Sequence, residues 1–300
     1  MKINKDYKLI FLSTFGALFM TNIFLVFDTF KGDFLDSSKA SEYGAFIGGY
    51  IGTILSFVSI VILYLTLKSQ HESSVLDKFE NKYFELIKLH RDNVIEISIK
   101  EQYGRKTFVS MFREFREVCN CFKNLIKQEG YILDDRDFYN IAYLIFFYGV
   151  GPNSSRVLRD SLSLYDHEMA DKIVEYFEDG NLQIVIKKSR NFKYRPFGGH
   201  QSRLGHYYRH LYQSVVYVHR QNLSDDDKYE YIKILRAQLS THEQALLFFN
   251  ARSELGQKWD EDNLITKYRL IKNLPKNFIN EEDELNVKAI YPDLIFEYEE

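Results

Sequence analysis

Two long apolar runs near the start of the chain dominate its pattern of hydrophobic and polar positions. Residues 43–67 contain no charged side chain and are bounded by Glu42 and Lys68. A helix of this length, with some tilt, crosses a hydrocarbon core of roughly 30 Å. Residues 9–27 form a second charge-free run. That run is longer than the core of a signal peptide and no small-residue cleavage site follows it, so we predict a retained first span.

Charges around the two predicted spans indicate their orientation. Lys2, Lys5, Lys8 and Lys68 lie at the outer ends of the spans, whereas the connector 28–42 carries more acidic than basic residues. By the positive-inside rule, we expect both termini in the cytoplasm. The chain is therefore predicted to be a multi-pass membrane protein with the lipid bilayer as its surroundings.

Small residues recur every four positions along the second run, at Gly44, Gly48, Gly52 and Ser56. Such spacing places them on one face of a helix, where another backbone can approach closely and pack. We predict that this face pairs with the first span or with a second copy of the chain. Chance enrichment of glycine, which is common in membrane helices, stays open as the alternative.

Apolar positions three and four residues apart predict helices through the rest of the chain. They recur over Leu76–Ile97 and again over Phe108–Ile126, with Gly130 as the stop of the second helix. The predicted fold is mainly α, with two transmembrane helices followed by a cytoplasmic all-α domain. The predicted divisions are a two-span anchor over 1–67, a membrane-proximal helical stalk over 68–130, a helical cytoplasmic domain over 131–280 and an acidic tail over 281–300.

Capping residues predict where several of these helices begin. Asp134 precedes a very apolar segment, a further helix is predicted from Asp166 to Asp179, and Ser224 precedes another apolar pattern. Ser240 and Glu243 have the spacing of a capping box ahead of an apolar run. These signals place consecutive helices in the second half of the chain.

One segment departs from the nearly neutral charge of the whole chain, whose formal net charge is −3. No Asp or Glu occurs between Gly180 and Ser224, where basic residues alternate with aromatic ones. Cations and rings in this order suit a phosphate-rich partner such as nucleic acid. The candidate binding residues are Lys187, Lys188, Arg190, Arg195, His200, Arg203, His206, Arg209 and His210. Contact with lipid headgroups, or pairing with the acidic tail, stays open.

An Arg and His stripe within this segment suggests two kinds of chemistry. Arg203 and His210 are seven positions apart on one helix face, where an arginine steadies a phosphate while an imidazole moves a proton. His206 and His210 stand one turn apart, but a third metal ligand at a suitable spacing is missing. A polar stripe at a helix interface explains the same residues without chemistry. Our leading interpretation assigns no catalytic residue, no metal and no cofactor.

Three segments resemble the phage abortive infection proteins of bacteria. They are Gly199–Tyr212, Tyr231–Asn250 with Arg236–Ser240 at its centre, and Phe79–Phe84. The resemblance implies an antiphage effector of the inner membrane whose activation kills or arrests the infected cell. Because similar two-span proteins serve as effectors of retron systems, it also implies a partner, which is a retron reverse transcriptase with its RNA and DNA product or another phage-sensing component. It carries over no catalytic residue.

Three functional hypotheses follow. The leading one is a non-enzymatic effector whose spans self-associate and disrupt the inner membrane when it is released from inhibition. The second is a membrane-tethered ribonuclease, similar to the helical HEPN class, that uses Arg203 and His210. The third is a membrane scaffold without toxicity.

Overall fold

The computed structural model describes residues 37–279 and 285–299, together with residues 14–16, 19, 20 and 23. Most of the predicted first span, 9–27, lies outside the described residues. The chain divides into two compact units, one up to Phe79 and one from Glu80 onward. The predicted boundaries at residues 67, 130 and 280 stay predictions.

The first unit contains a long apolar helix. Its parts are α1 (Ser37–Phe46), a π-helical turn (Ile47–Ile51) and α2 (Gly52–Glu96), which extends into the second unit. Among the described residues, this one helix is long and apolar enough to cross a membrane. Its apolar side chains are uncovered, with Phe57 68% and Ile60 64% exposed. The helix supports association with a membrane, while a second span and the cytoplasmic termini stay predictions.

Over residues 80–279 and 285–299, the regular elements of the second unit are helices and one antiparallel hairpin formed by β1 (Ser98–Ile99) and β2 (Gln102–Tyr103). Its longer helices are α3 (Arg105–Glu129), α4 (Asp135–Tyr148), α5 (Ser154–Leu162), α6 (His167–Glu178), α7 (Gly180–Ser189), α8 (Gln201–His219), α9 (Asp225–Arg236) and α10 (Thr241–Arg252). Short helical turns follow at Glu254–Gly256, α11 (Lys258–Glu261), α12 (Leu264–Lys267), α13 (Val287–Ile290) and Glu297–Glu299. The prediction of a mainly α fold is confirmed, and the hairpin was not predicted.

Side-chain caps begin several of these helices where the sequence places them. Asp134 accepts a hydrogen bond from the backbone nitrogen of Asp137 at 2.7 Å, and Ser224 accepts one from that of Asp227 at 3.1 Å. Gly130 ends α3 in the left-handed conformation, with φ of 77°. Each cap satisfies a backbone group that the end of a helix leaves without a partner.

The helix predicted from Asp166 to Asp179 is α6, which ends at Glu178, and Gly180 directly after it begins α7. The reason is Asp179, whose carboxylate accepts a hydrogen bond from the backbone nitrogen of Asn181 at 2.9 Å and so caps the new helix. The sequence between α6 and α8 is therefore helical for ten residues before it becomes a loop.

The core of the second unit lies between α3, α4 and α10. Every residue from Glu243 to Ala251 in α10 is buried, so this helix is enclosed on all sides. The Phe115 ring of α3 lies 4.4 Å from the Phe249 ring and 5.5 Å from the Phe146 ring, centroid to centroid. Tilted and edge-on aromatic pairs at these distances add to the burial of apolar surface. This core fixes the frame on which α7 and α8 are placed.

Candidate functional site

The basic segment after Gly180 divides into an exposed part and a buried part. Lys187, Lys188 and Lys193 are exposed, and Arg190 and Arg195 are exposed but anchored. Glu117 and Gln183 hold these two arginine side chains in place. Arg190 Nε lies 2.8 Å from the Glu117 carboxylate, and Arg195 Nε donates to the Gln183 amide oxygen at 2.6 Å. None of these cations pairs with an acid of the tail within residues 285–299, the described part of it. The surface they form is therefore open.

Five of the seven aromatic residues of this segment are buried, while Tyr212 and Tyr217 are partly exposed. Phe192 is 5% exposed, Tyr194 6% and Phe197 0%. On α8, Tyr207 and Tyr208 are buried as well. Rings in these positions cannot stack on the bases of a nucleic acid, which is the contact that the interleaved pattern predicted. Between Lys187 and Arg195, the exposed surface thus carries the cations without the aromatic rings.

His200 lies inside the protein, apart from the exposed cations with which the sequence grouped it. Its Nε2 donates to the Glu114 carboxylate at 3.1 Å, and both side chains are at least 97% buried. The backbone nitrogen of Phe197 donates to the other oxygen of Glu114 at 2.6 Å. Burial acts to raise the pKa of Glu114, but the His200 ring and the hydrogen bonds outweigh it, so the pKa lies below its usual value. This pair ties the loop before α8 to α3.

A close backbone crossing holds the same loop against the end of α4. Gly149 and Gly199 have φ of 69° and 79°. A Cβ on Gly149 would lie 2.1 Å from a backbone atom of Gly199, and a Cβ on Gly199 would lie 2.1 Å from a backbone atom of Tyr148. The backbone nitrogen of His200 donates to the Phe147 carbonyl at 2.8 Å, and that of Val150 to the Phe197 carbonyl at 2.7 Å. Glycine is required at both positions, because only it tolerates this conformation without a side chain in the way.

Arg203 and His210 both lie on α8, but they contact different parts of the protein. The Arg203 guanidinium donates to the Ser98 carbonyl at 2.8 Å and to the Gly199 carbonyl at 3.4 Å. The His210 ring lies 6.2 Å from the His90 ring and nearly parallel to it. Arg203 therefore joins the hairpin to the start of α8, while His206 and Arg209 remain exposed.

The buried His90 and the half-buried His210 form a pair that sequence reasoning missed. Neither ring nitrogen of either residue has a hydrogen-bond partner among the residues that the structure describes. Burial, the neighbouring His210 and the charge of Arg105 lower the pKa of His90 to about 4. Burial and then His206 also lower the pKa of His210. Both imidazoles are thus held neutral at neutral pH. The only signal in the sequence was the position of His90 among apolar residues of α2.

Glu243 connects α8 to the start of α10. Its carboxylate accepts from the Ser240 backbone nitrogen at 2.8 Å, completing the predicted capping box, and from the Tyr207 hydroxyl at 2.9 Å. The Arg105 Nε lies 3.9 Å from the same carboxylate. The capping box is confirmed, and the structure adds a buried tyrosine to it. No pattern of residues near Ser240 could reveal that partner, since Tyr207 is distant in sequence.

The small residues of the first unit lie along the exposed helix. Gly44 and Gly48 are exposed, and a Cβ on either would meet no other described atom within 4 Å. Gly48 falls in the π-helical turn, whose wider winding displaces Gly52 and Ser56 relative to the glycines before it. The hydroxyl of Ser56 donates to the Gly52 carbonyl at 2.8 Å, as hydroxyls do inside apolar helices that have no water nearby.

The described residues contain no group of three His, Cys, Asp or Glu side chains that could hold a metal ion. A cavity of about 560 Å³ opens beside α3, lined by Arg113, Glu117, Arg190 and Phe192 among others. Its arginines are already engaged, because Arg113 donates to the Arg190 carbonyl at 2.9 Å and Arg190 pairs with Glu117. Neither Lys187 nor Lys188 of α7 is among the described residues that line the cavity.

Comparison with known protein families gives a match in the second half of the chain. Residues 199–279 match the model of a family described as putative phage abortive infection protein. The matched residues include α8, α9 and α10 and the crossing glycine Gly199. The match confirms the family resemblance seen at Gly199–Tyr212 and Tyr231–Asn250, while Phe79–Phe84 lies outside it. It supports a general role in phage defence. No curated protein and no solved structure matches the chain.

Proposed function

We propose that this protein is an abortive-infection effector of phage defence that acts on the bacterial inner membrane. Its apolar helices associate when the protein is released from inhibition, and the membrane loses its barrier, so the infected cell dies or stops growing. The observation that carries the proposal is the helix Ser37–Glu96, whose apolar surface is left uncovered in a chain that matches the abortive infection family.

The pairing face of this helix is the stripe that begins at Gly44 and Gly48. Both positions are free of neighbours among the described residues, so the shallow surface they leave suits the backbone of a second helix. That helix is the first span or the span of another copy. With both termini in the cytoplasm, the second unit faces the cytosol, where a retron reverse transcriptase with its RNA and DNA product is the partner that restrains it.

Substitution of the two glycines tests the pairing. The double variant Gly44→Leu and Gly48→Leu adds bulk exactly where a partner backbone would lie, yet nothing within the described chain opposes it. We expect the variant to stay in the membrane fraction and to lose killing when it is overproduced. Gly49→Leu is the matched control, since a Cβ at Gly49 also meets no described atom within 4 Å and the position lies off the stripe.

The readouts are entry of a membrane-impermeant dye and integrity of cellular RNA, measured in the same induced culture. Dye entry before RNA decay, lost in the double variant and kept in Gly49→Leu, agrees with the proposal. Full killing by the double variant refutes the pairing face. RNA decay ahead of dye entry, abolished by His210→Ala, would instead identify the ribonuclease of the second hypothesis.

A further inference from the structure

Helix α7 has an inverted arrangement of polar and apolar side chains. Gln183 points inward and is 4% exposed, while Ile184 and Val185 point outward and are 53% and 60% exposed. Gln183 is satisfied inside, because its amide donates to the Phe177 carbonyl at 2.7 Å and accepts from Arg195 at 2.6 Å. A helix that only covered the core would bury Ile184 and Val185 and expose Gln183.

The outward face of α7 combines this apolar pair with cations. Val185 and Lys188 are three positions apart, as are Ile184 and Lys187, so each lysine is a neighbour of one apolar side chain on the helix surface. Lys187 and Lys188 are exposed, and Lys193 extends the charge beyond the end of the helix. No Asp or Glu lies between residues 180 and 224 to neutralise it.

We propose that the outward face of α7 docks on a membrane surface rich in anionic lipid headgroups. Ile184 and Val185 enter the boundary between headgroups and acyl chains, and Lys187, Lys188 and Lys193 contact the phosphates. An apolar face flanked by lysines is the arrangement by which helices lie in such an interface. Docking at this site is distinct from a membrane-crossing helix and does not require the pairing of Gly44 and Gly48.

Two other occupants fit the face less well. Nucleic acid would find the cations but no ring, because Phe192, Tyr194 and Phe197 are buried and aliphatic side chains do not stack on bases. A second copy that met this face through a two-fold axis would bring lysines against lysines, with no acid of residues 180–224 between them. An anionic lipid surface matches both the charge and the apolar pair.

A photoreactive benzoylphenylalanine at Val185 tests the proposal in the full chain. The protein is reconstituted in nanodiscs of phosphatidylcholine, or of phosphatidylcholine mixed with phosphatidylglycerol, and irradiated with and without added RNA. We expect lipid adducts in the anionic nanodiscs and roughly ten-fold fewer in the neutral ones. The same label at Ile132, which is 95% exposed on the second unit, serves as the control for accidental contact with lipid.

Charge reversal identifies what holds α7 on the lipid. Lys187→Glu with Lys188→Glu should reduce the adducts in anionic nanodiscs to the neutral level, while Lys106→Glu with Lys127→Glu, two exposed lysines of α3, should leave them unchanged. Circular dichroism confirms that each variant is folded. Equal adduct yields in both lipids, adducts to RNA or to a second copy in place of lipid, or labelling at Ile132 as strong as at Val185 would overturn the proposal. Because the readout is contact with lipid, it is independent of killing.

Discussion

Single polar side chains inside the second unit restrict how its helices can be arranged, because a buried polar atom is costly unless it is bonded. Glu114 meets this requirement through His200 and the backbone nitrogen of Phe197. His90 does not, since its ring nitrogens have no partner among the described residues. The ring is tolerated there in its neutral form, 5.3 Å from the Tyr207 ring, and protonation would place an unpaired charge between α2 and α8.

This makes the stability of the second unit sensitive to acid. The pKa of His90 is about 4 in the folded protein, below the ordinary value of 6.5, so the unfolded chain binds the proton first. Stability is complete above pH 6.5 and is lost as the pH falls toward 4, by about 3 kcal/mol for this group. Urea unfolding of the full chain in detergent, repeated between pH 7.5 and 4, measures the loss.

The variant His90→Phe keeps a ring in the apolar site and removes its titration. We expect it to lose less stability on acidification than the native chain, the remainder coming from His210 and other residues. His167→Phe, which changes an exposed histidine, should follow the native curve. A His90→Phe curve parallel to the native one would show that His90 does not carry the acid sensitivity.

The crossing of Gly149 and Gly199 gives a prediction that does not depend on charge. Alanine at either position would force a Cβ to within 2.1 Å of a backbone atom, and both residues have positive φ. We expect either substitution to destabilise the second unit by more than about 2 kcal/mol, seen as a lower midpoint of thermal unfolding.

Gly205→Ala is the control for the glycine crossing. Its Cβ would meet only the Phe147 ring, at an ordinary 3.7 Å, and it lies within α8. Alanine is favoured over glycine in a helix, so this change should be neutral or stabilise by about 0.5–1 kcal/mol. If Gly199→Ala unfolded at the same temperature as Gly205→Ala, the crossing would not be as tight as the structure has it.

Among the helices, α10 shows how a local signal and a distant contact combine. The capping box of Ser240 and Glu243 lies within four consecutive residues, so the sequence predicts it. The Tyr207 hydroxyl, which also donates to the Glu243 carboxylate, comes from α8. Removing the carboxylate would leave a backbone donor and a buried hydroxyl without partners, which costs more than the loss of a cap alone.

Two cap substitutions separate these contributions. Glu243→Ala should destabilise the chain by about 3 kcal/mol, whereas Ser224→Ala, at the exposed cap of α9, should cost about 1 kcal/mol. Urea unfolding of both variants at pH 7.5 provides the comparison. Equal losses would mean that the Tyr207 contact adds nothing to the cap.

The difference between local signals and contacts with distant residues explains how far the sequence could predict the fold. Asp134, Gly130 and Ser224 act on backbone groups within one turn, so their positions alone predict helix ends. The burial of Gln183 beneath exposed Ile184 reverses the usual pattern, and it depends on the Phe177 carbonyl and Arg195 being nearby. The His90 and His210 pair joins helices far apart in sequence. Neither arrangement follows from the spacing of residue types.

At the scale of the whole molecule, the division into two units separates two tasks. The unit from Glu80 onward contains the buried core and the residues that match the family model. Hydrogen bonds within this unit connect its first residues to α9. The Tyr231 hydroxyl donates to the Glu80 carboxylate at 2.6 Å, and the Tyr83 hydroxyl donates to the Tyr231 carbonyl at 2.5 Å. The described residues of the unit before it contain the exposed apolar helix and no comparable core. Under the proposed function, we expect the first unit to cause the damage to the membrane.

Removal of residues 1–67 tests this division directly. The cut lies ahead of Glu80, so every bond that closes the second unit is kept, while the charge-free run 43–67 is lost. We expect the shortened chain to accumulate as a folded protein, by circular dichroism, and to cause neither dye entry nor growth arrest when overproduced. His210→Ala in the full chain should still kill, because the His90 pair lies in the second unit. Killing by the shortened chain would place the toxic activity in the helical unit and remove the membrane from the mechanism.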